Sequence, residues 1–203
     1  MSEQRRKPAT RRGQRTRSRL LEAAEEVFGE RGFEKASIVD ITRAAKVAQG
    51  TFYVYFESKK EIFTELVESL GQALRRRLRA AVTSEDDPRV QDRAAFSAFL
   101  EYVAEHRHLY RIVRQAEFVD EAPYRDYYRR LADGYIQRLE PELEAGRMAP
   151  IDPEVLAFTM MGIFDFLGMR WALWEGTMPP QHALDDVFAF IGRGLGPQAR
   201  ATP

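Results

Sequence analysis

The 203-residue chain contains no cysteine. A disulfide framework, a thiolate metal site and a cysteine nucleophile are thereby excluded, and the composition is compatible with a reducing cytoplasm. Histidine is scarce as well. His106 and His108 lie two residues apart and project from different sides of a helix, and His182 falls in a turn. No spacing therefore suits a metal triad or a nucleophile with its base. The chain reads as a non-enzyme, with no catalytic residue, no metal site and no cofactor. Long apolar runs are also missing. Val155 to Phe164 contains Thr159 and stops at Asp165, short of the roughly 18 residues a spanning helix needs. Met1 to Thr10 is polar and basic with no apolar stretch behind it, unlike a secretory signal. A soluble, cytoplasmic protein with no membrane partner is expected. Alternating strand-type patterns and internal repeats are absent, which leaves helical periodicity and an all-α fold of about nine helices.

The formal net charge of zero conceals an asymmetry. Residues 1–60 hold 14 Lys and Arg against 8 Asp and Glu, and the remainder 17 against 23, so a segment of net +6 is joined to one of net −6. A basic N-terminal third on an acidic body points to a polyanion-binding module attached to something different. The basic bias peaks in Arg5, Arg6, Lys7, Arg11, Arg12, Arg15, Arg17 and Arg19. The spacing predicts a basic flexible arm over 1–14 and a helix from Arg15, with Leu20, Ala24, Val27 and Phe28 on one face and Gly32 as its stop. Ser37 and Asp40 read as a capping box for a short helix through Ala44. A second short helix fits Gln49 to Phe56. A long connector follows over 61–81, and residues 82–203 form the rest of a helical C-terminal domain.

Two short helices joined by a tight turn at Ala45–Ala48 make a helix-turn-helix within a domain spanning 15–60, the motif itself at about 37–56. In such a unit the second helix enters the major groove. Gln49 is suited to a bidentate pair with adenine, Thr51 to a phosphate or a thymine methyl, and the hydroxyls of Tyr53 and Tyr55 to phosphate oxygens. Gly50 lets the backbone approach the DNA, while Phe52 and Phe56 point into the small core. Tyr53 and Tyr55 lie about 200° apart on a helix of 3.6 residues per turn, so at least one is exposed.

Ile41, Ala45, Val47, Gly50-Thr51-Phe52-Tyr53, Tyr55-Phe56, Ser58-Lys59 and Ile62-Phe63 resemble the signature of the TetR family of transcriptional regulators, over about residues 15–75. The resemblance implies a homodimer that binds a palindromic double-stranded DNA operator and is controlled by a small-molecule effector in the C-terminal domain. Repression is the family habit; an activator of the same architecture and a helical ligand-sequestering dimer are the alternatives. Position by position it implies phosphate contacts from Ser37, Thr51, Tyr53, Tyr55 and Lys59, with Gln49 as base reader and Val39 beside it. Lys46 stands where the family usually has the turn glycine, and Ala48 where it often has a serine cap. Slight strain in the turn and a poorly capped recognition helix are expected.

Beyond this motif the signal is compositional. Fourteen of the 23 aromatic residues fall between Phe96 and Trp174, more than a small helical core requires. The segment from Asp152 to Glu175 is apolar nearly all round and must be covered on two sides, by a cavity wall and by a second subunit. A mostly apolar ligand site is expected near Phe99, Tyr102, Tyr128, Met161, Asp165 and Trp174, for a hydrophobic, aromatic or acyl-type (acyl-CoA-like) molecule. Arg111, Arg114, Arg125, Arg129 and Arg130 are read first as a solvated face and second as holders of an anionic ligand.

Overall fold

The computed structural model describes residues 10–82 and 88–195; Arg5, Arg6 and Lys7 of the expected arm and the break at Glu85–Asp87 lie outside the described residues. The described residues form nine α-helices and no strand. α1 (Arg11–Lys35) starts four residues before the expected Arg15, because Thr10 is an N-cap whose hydroxyl accepts from the Gly13 N–H at 3.1 Å. Residues 11–14 therefore belong to a helix rather than to a flexible arm. Gly32 breaks the regular helix at φ +78°, ψ 162°, a conformation essentially reserved for glycine. α2 (Ile38–Ala44) carries the capping box: Ser37 Oγ accepts from the Asp40 N–H and Asp40 Oδ2 accepts from the Ser37 N–H, both at 3.1 Å. α3 (Gln49–Tyr55) follows, then α4 (Lys59–Ala81), α5 (Pro88–Glu105), α6 (Leu109–Val119) and α7 (Glu121–Glu144). α8 (Pro153–Gly168) continues as a π-helical turn, Met169–Glu175, and α9 (Gln181–Leu195) completes the order.

The chain divides into two compact units. The first comprises the chain to Leu70 together with His108–Arg125; the second comprises Gly71–Arg107 and the chain from Asp126. α4 and α7 each contribute to both. In the first unit Leu20, Phe28, Ile41, Phe52, Phe56, Ile62 and Phe63 are buried, with Phe28 and Phe63 in edge-to-face contact at 5.1 Å between centroids. α6 packs on α1, and the two are closely fitted: a Cβ on Gly29 would come within 2.1 Å of His108 Cγ. Arg111 Nη1 donates to the Gly29 carbonyl at 2.6 Å, and the Gln115 side-chain oxygen accepts from the Phe33 N–H freed at the Gly32 break. The core of the second unit gathers Phe96, Leu100, Leu139, Leu156, Met160, Phe164 and Ile191, with the Phe96 and Phe164 rings stacked at 4.4 Å.

α8 starts as its sequence dictates. Asp152 Oδ1 accepts from the N–H groups of Glu154 and Val155 at 2.9 and 3.0 Å, and Pro153 occupies the first turn, where no amide donor is needed. Counted with its π-helical turn, Pro153–Glu175 is long and apolar enough to cross a membrane. That departs from the expectation drawn from the uninterrupted apolar run, since one aspartate and one threonine barely lower the mean hydropathy of so long a helix. Its inner face, Leu156, Ala157, Met160 and Phe164, is buried, and α8 packs against α5. Val155, Phe158, Phe166 and Trp174 are exposed along it, and so is Phe190 on α9.

Candidate DNA-binding face and internal cavity

The small core of the first unit fixes what α3 shows to solvent. Phe52 and Phe56 point inward and are buried, so Gln49, Gly50, Tyr53 and Val54 face outward, Tyr53 at 54% and Val54 at 71% exposure. Thr51 and Tyr55 are half-buried at the flanks of this face. Val39, 44% exposed on α2, adds an apolar group. Val54 was not anticipated, although its place three residues after Thr51 and two after the inward Phe52 puts it on the outer side. Glycine at position 50 serves no need of the fold: an added Cβ would meet nothing within 4 Å. Within a helix a glycine costs about 0.8–1 kcal/mol relative to alanine, so its absent side chain is useful only toward something outside the chain.

The turn before α3 bears out the expected strain. Lys46 adopts φ +52°, the left-handed region that favours glycine. Arg19 compensates: its guanidinium donates to the Ala45 carbonyl and, at 3.1 Å, to that of Lys46. Ala48 gives α3 no side-chain cap; its carbonyl accepts from the Thr51 N–H at 2.9 Å instead.

Two residues assigned to phosphates are already engaged within the fold. Lys59 Nζ donates to the carbonyls of Phe33 and Ala36 at 2.7 and 3.0 Å and lies 4.3 Å from the Phe33 ring centroid, closing the open end of α1. Ser37 is committed to the capping box; through it Asp40 is held below the usual carboxylate range, by the Ser37 hydroxyl first and then by the Ser37 N–H, Arg31 and Arg43. Arg17 is consumed likewise, paired with Glu65 and placed over the Phe56 ring. Arg11, Arg12 and Arg15 remain exposed on the first turns of α1.

The second unit holds a partly open cavity of about 350 Å³. Of the six residues expected near a ligand, Phe99, Tyr128, Met161 and Asp165 line it. Tyr102 and Trp174 do not. Tyr102 is buried beyond Phe99 on α5, its ring 4.4 Å from that of His106. Trp174 is 63% exposed, because the π-helical turn bonds i to i+5 and winds less tightly, displacing its side chain from the α-helical stripe. Leu74, Arg75, Leu78 and Arg79 of α4 and Tyr127 of α7 complete walls that the sequence had not indicated. Tyr127 is buried, and its hydroxyl is pushed well above the usual phenol range, by desolvation first and then by Tyr128, Tyr102 and Asp165. The five arginines read first as a solvated face are all exposed, and each also has a partner within the protein: Arg111 caps α1, Arg114 lies over Tyr110, and Arg125, Arg129 and Arg130 pair with Glu121 and Asp126. Among the described residues no group of three His, Cys, Asp or Glu side chains is placed to hold a metal ion.

An outward recognition helix on a helix-turn-helix core matches known proteins. The sequence model of the bacterial regulatory proteins of the tetR family matches residues 20–66. Residues 20–66 thus match the N-terminal domain of that family. The chain is 28% identical over 193 residues to the transcriptional regulator TtgR of Pseudomonas putida, spanning 90% of each protein. It is 25% identical over 185 residues to the transcriptional repressor KstR2 of Mycobacterium tuberculosis, spanning 88% of this chain and 92% of that one. Its fold matches that of the fatty acid degradation regulator FadR from Bacillus halodurans with a TM-score of 0.76 over 87% of this chain and 94% of that one, at 18% identity. The chain thus carries a tetR-type helix-turn-helix domain at residues 20–66 and shares its overall fold with solved regulators of transcription.

Proposed function

We propose that this chain is a homodimeric cytoplasmic repressor of the TetR type that leaves a palindromic operator when a small molecule fills the cavity of the second unit. The observation that carries the reading is the ownership of the cavity walls. Leu74, Arg75, Leu78 and Arg79 belong to α4, and Tyr127, Tyr128 and Leu131 to α7, the two helices whose other ends lie in the DNA-binding unit. A helix is stiff over such lengths, so a ligand that prefers one setting of α4 and α7 biases the placement of the recognition helices. Dimers of this kind read two half-sites about 34 Å apart, one turn of DNA. The exposed apolar face of α8, its π-helical turn and α9 is the surface a second copy would cover. Repression is supported by the KstR2 relative, and a ligand with an apolar body by the cavity walls and the FadR likeness. A ligand-sequestering dimer would have no use for the outward Gln49, Tyr53 and Val54.

The reading is tested by selecting genomic fragments on the full-length protein and following release of the enriched fragment by fluorescence anisotropy. Compounds that bind the second unit should weaken DNA binding, and by reciprocity DNA should weaken their binding by the same factor. Failure to enrich any fragment, or ligand binding without effect on DNA affinity, contradicts the proposal.

A further inference from the structure

The cavity of the second unit is apolar on one side, with Leu78, Phe96, Phe99, Leu131, Met161 and Phe164, and lined by guanidinium groups on the other, from Arg75, Arg79, Arg130 and Arg138. Two of the four are neutralised within the protein. Arg138 is paired with Asp92, which also accepts from the Tyr135 hydroxyl at 2.9 Å, and Arg130 shares Asp126 with Arg129 at 3.0 Å. Arg75 and Arg79 form no ion pair with another described residue, and Asp165 is the one carboxylate among the lining side chains. Positive charge is therefore in excess on this wall.

Arg75 is placed to feel that excess most. It is half-buried, one turn after Gly71 on α4. A Cβ on Gly71 would lie 2.8 Å from Tyr127 Cδ2 and 3.3 Å from Arg75 Nη1, so the buried Tyr127 ring and the guanidinium both pack against the bare backbone at Gly71. Burial first, then the charges of Arg130 and Arg79, hold Arg75 below the usual arginine range. A guanidinium that is partly stripped of water and faces like charges is stabilised by an anion that brings its own hydrogen-bond acceptors.

Resting on the ligand-controlled reading above, we propose that the effector is a compact carboxylic acid, its carboxylate held by Arg75 and its apolar body against the phenylalanine side. A pocket of about 350 Å³ lies in the range of small-molecule sites and suits the apolar body of a medium-chain or two-ring acid. The acyl head of a coenzyme A thioester is uncharged and would leave Arg75 without an anionic partner in the pocket. The chemistry thus favours the free acid over the acyl-CoA.

Isothermal titration of the full-length protein with decanoate, biphenylcarboxylate, their uncharged primary amides and decanoyl-CoA tests this. At least one acid should bind ten times or more tighter than its amide and than decanoyl-CoA. Arg75→Gln should abolish the difference by weakening the acid while leaving the amide unchanged, and Arg129→Gln should alter neither. Equal binding of acid and amide, tighter binding of the thioester, no binding of either acid, or a preference that survives Arg75→Gln overturns the proposal; the acid–amide comparison needs no variant to fold. Amides that bind and release DNA would overturn the anionic head and leave the regulatory reading standing. An acid that binds through Arg75 without affecting DNA would support the site and remove the regulatory reading.

Discussion

The two units solve opposite problems. The first is built so that a few inward phenylalanines leave one short helix face with nothing of the protein to touch. Gln49, Gly50, Tyr53 and Val54 are outward because Phe52 and Phe56 are inward, and Gly50 lacks a side chain that its own surroundings would accept. The second unit has more aromatic surface than its core consumes, and it disposes of the surplus twice, around a cavity and on the outside of α8 and α9. The candidate DNA-binding site of the first unit is therefore a surface defined mainly by seven residues in a row. The proposed ligand site of the second is a volume defined by residues from α4, α5, α7 and α8, none of them adjacent in the chain beyond pairs.

The sharpest way to break this contrast is to spoil the outer face of α8 while leaving its inner face alone. Phe166 is 65% exposed, so Phe166→Glu should cost the subunit little by itself. Buried against a second copy it places an unpaired carboxylate in an apolar interface, at a cost of several kcal/mol. Sedimentation should show monomer at micromolar concentration where the unaltered protein is a dimer, and affinity for a palindromic operator should fall by at least tenfold. An unchanged dimer would assign that face to another role.

A smaller effect separates folding from recognition within the first unit. Gly50→Ala should raise stability by a few tenths to about 1 kcal/mol, because alanine is the better helix former and the added methyl meets nothing. It should weaken operator binding by about tenfold, because the methyl stands where the DNA approaches. Denaturant unfolding and anisotropy on the same sample check both signs. A stabilised variant with full DNA affinity would show that the backbone does not come close at this point. Smallest is Lys46→Gly, which relieves the left-handed lysine and should stabilise the protein by roughly 1 kcal/mol with operator affinity unchanged. A loss of stability would mean that the Arg19 contacts to the turn carbonyls already remove the strain.

How much of this was legible in the sequence follows the range over which each feature is encoded. The capping box at Ser37–Asp40, the Asp152 N-cap with Pro153 behind it, the Gly32 break and the strained Lys46 are decided within a few residues, and each appears in the structure where the local pattern puts it. Cations whose partners are distant in the chain are not legible locally. Lys59, Arg17 and Arg19 lie in a basic segment, and their contacts to the Phe33 and Ala36 carbonyls, to Glu65 and to the Ala45 carbonyl are set by the tertiary fold. The cavity was legible as a surplus of aromatics but not as a set of walls. Arg75 was hidden in a helix read as a connector, Tyr127 depends on the absence of a side chain at Gly71, and Trp174 was misplaced by a π-helical turn that no periodicity announces.

The central claim is that the outward face of α3 reads base sequence, with Gln49 as its principal reader. Anisotropy titrations of the unaltered protein and Gln49→Ala, on an operator selected from genomic DNA and on a random duplex of equal length at one salt concentration, test it most directly. The account predicts a loss of about 1–3 kcal/mol on the operator, little change on the random duplex, and relaxed preference at one symmetric pair of positions. Equal losses on both duplexes would reduce Gln49 to a phosphate contact and contradict base reading by this face.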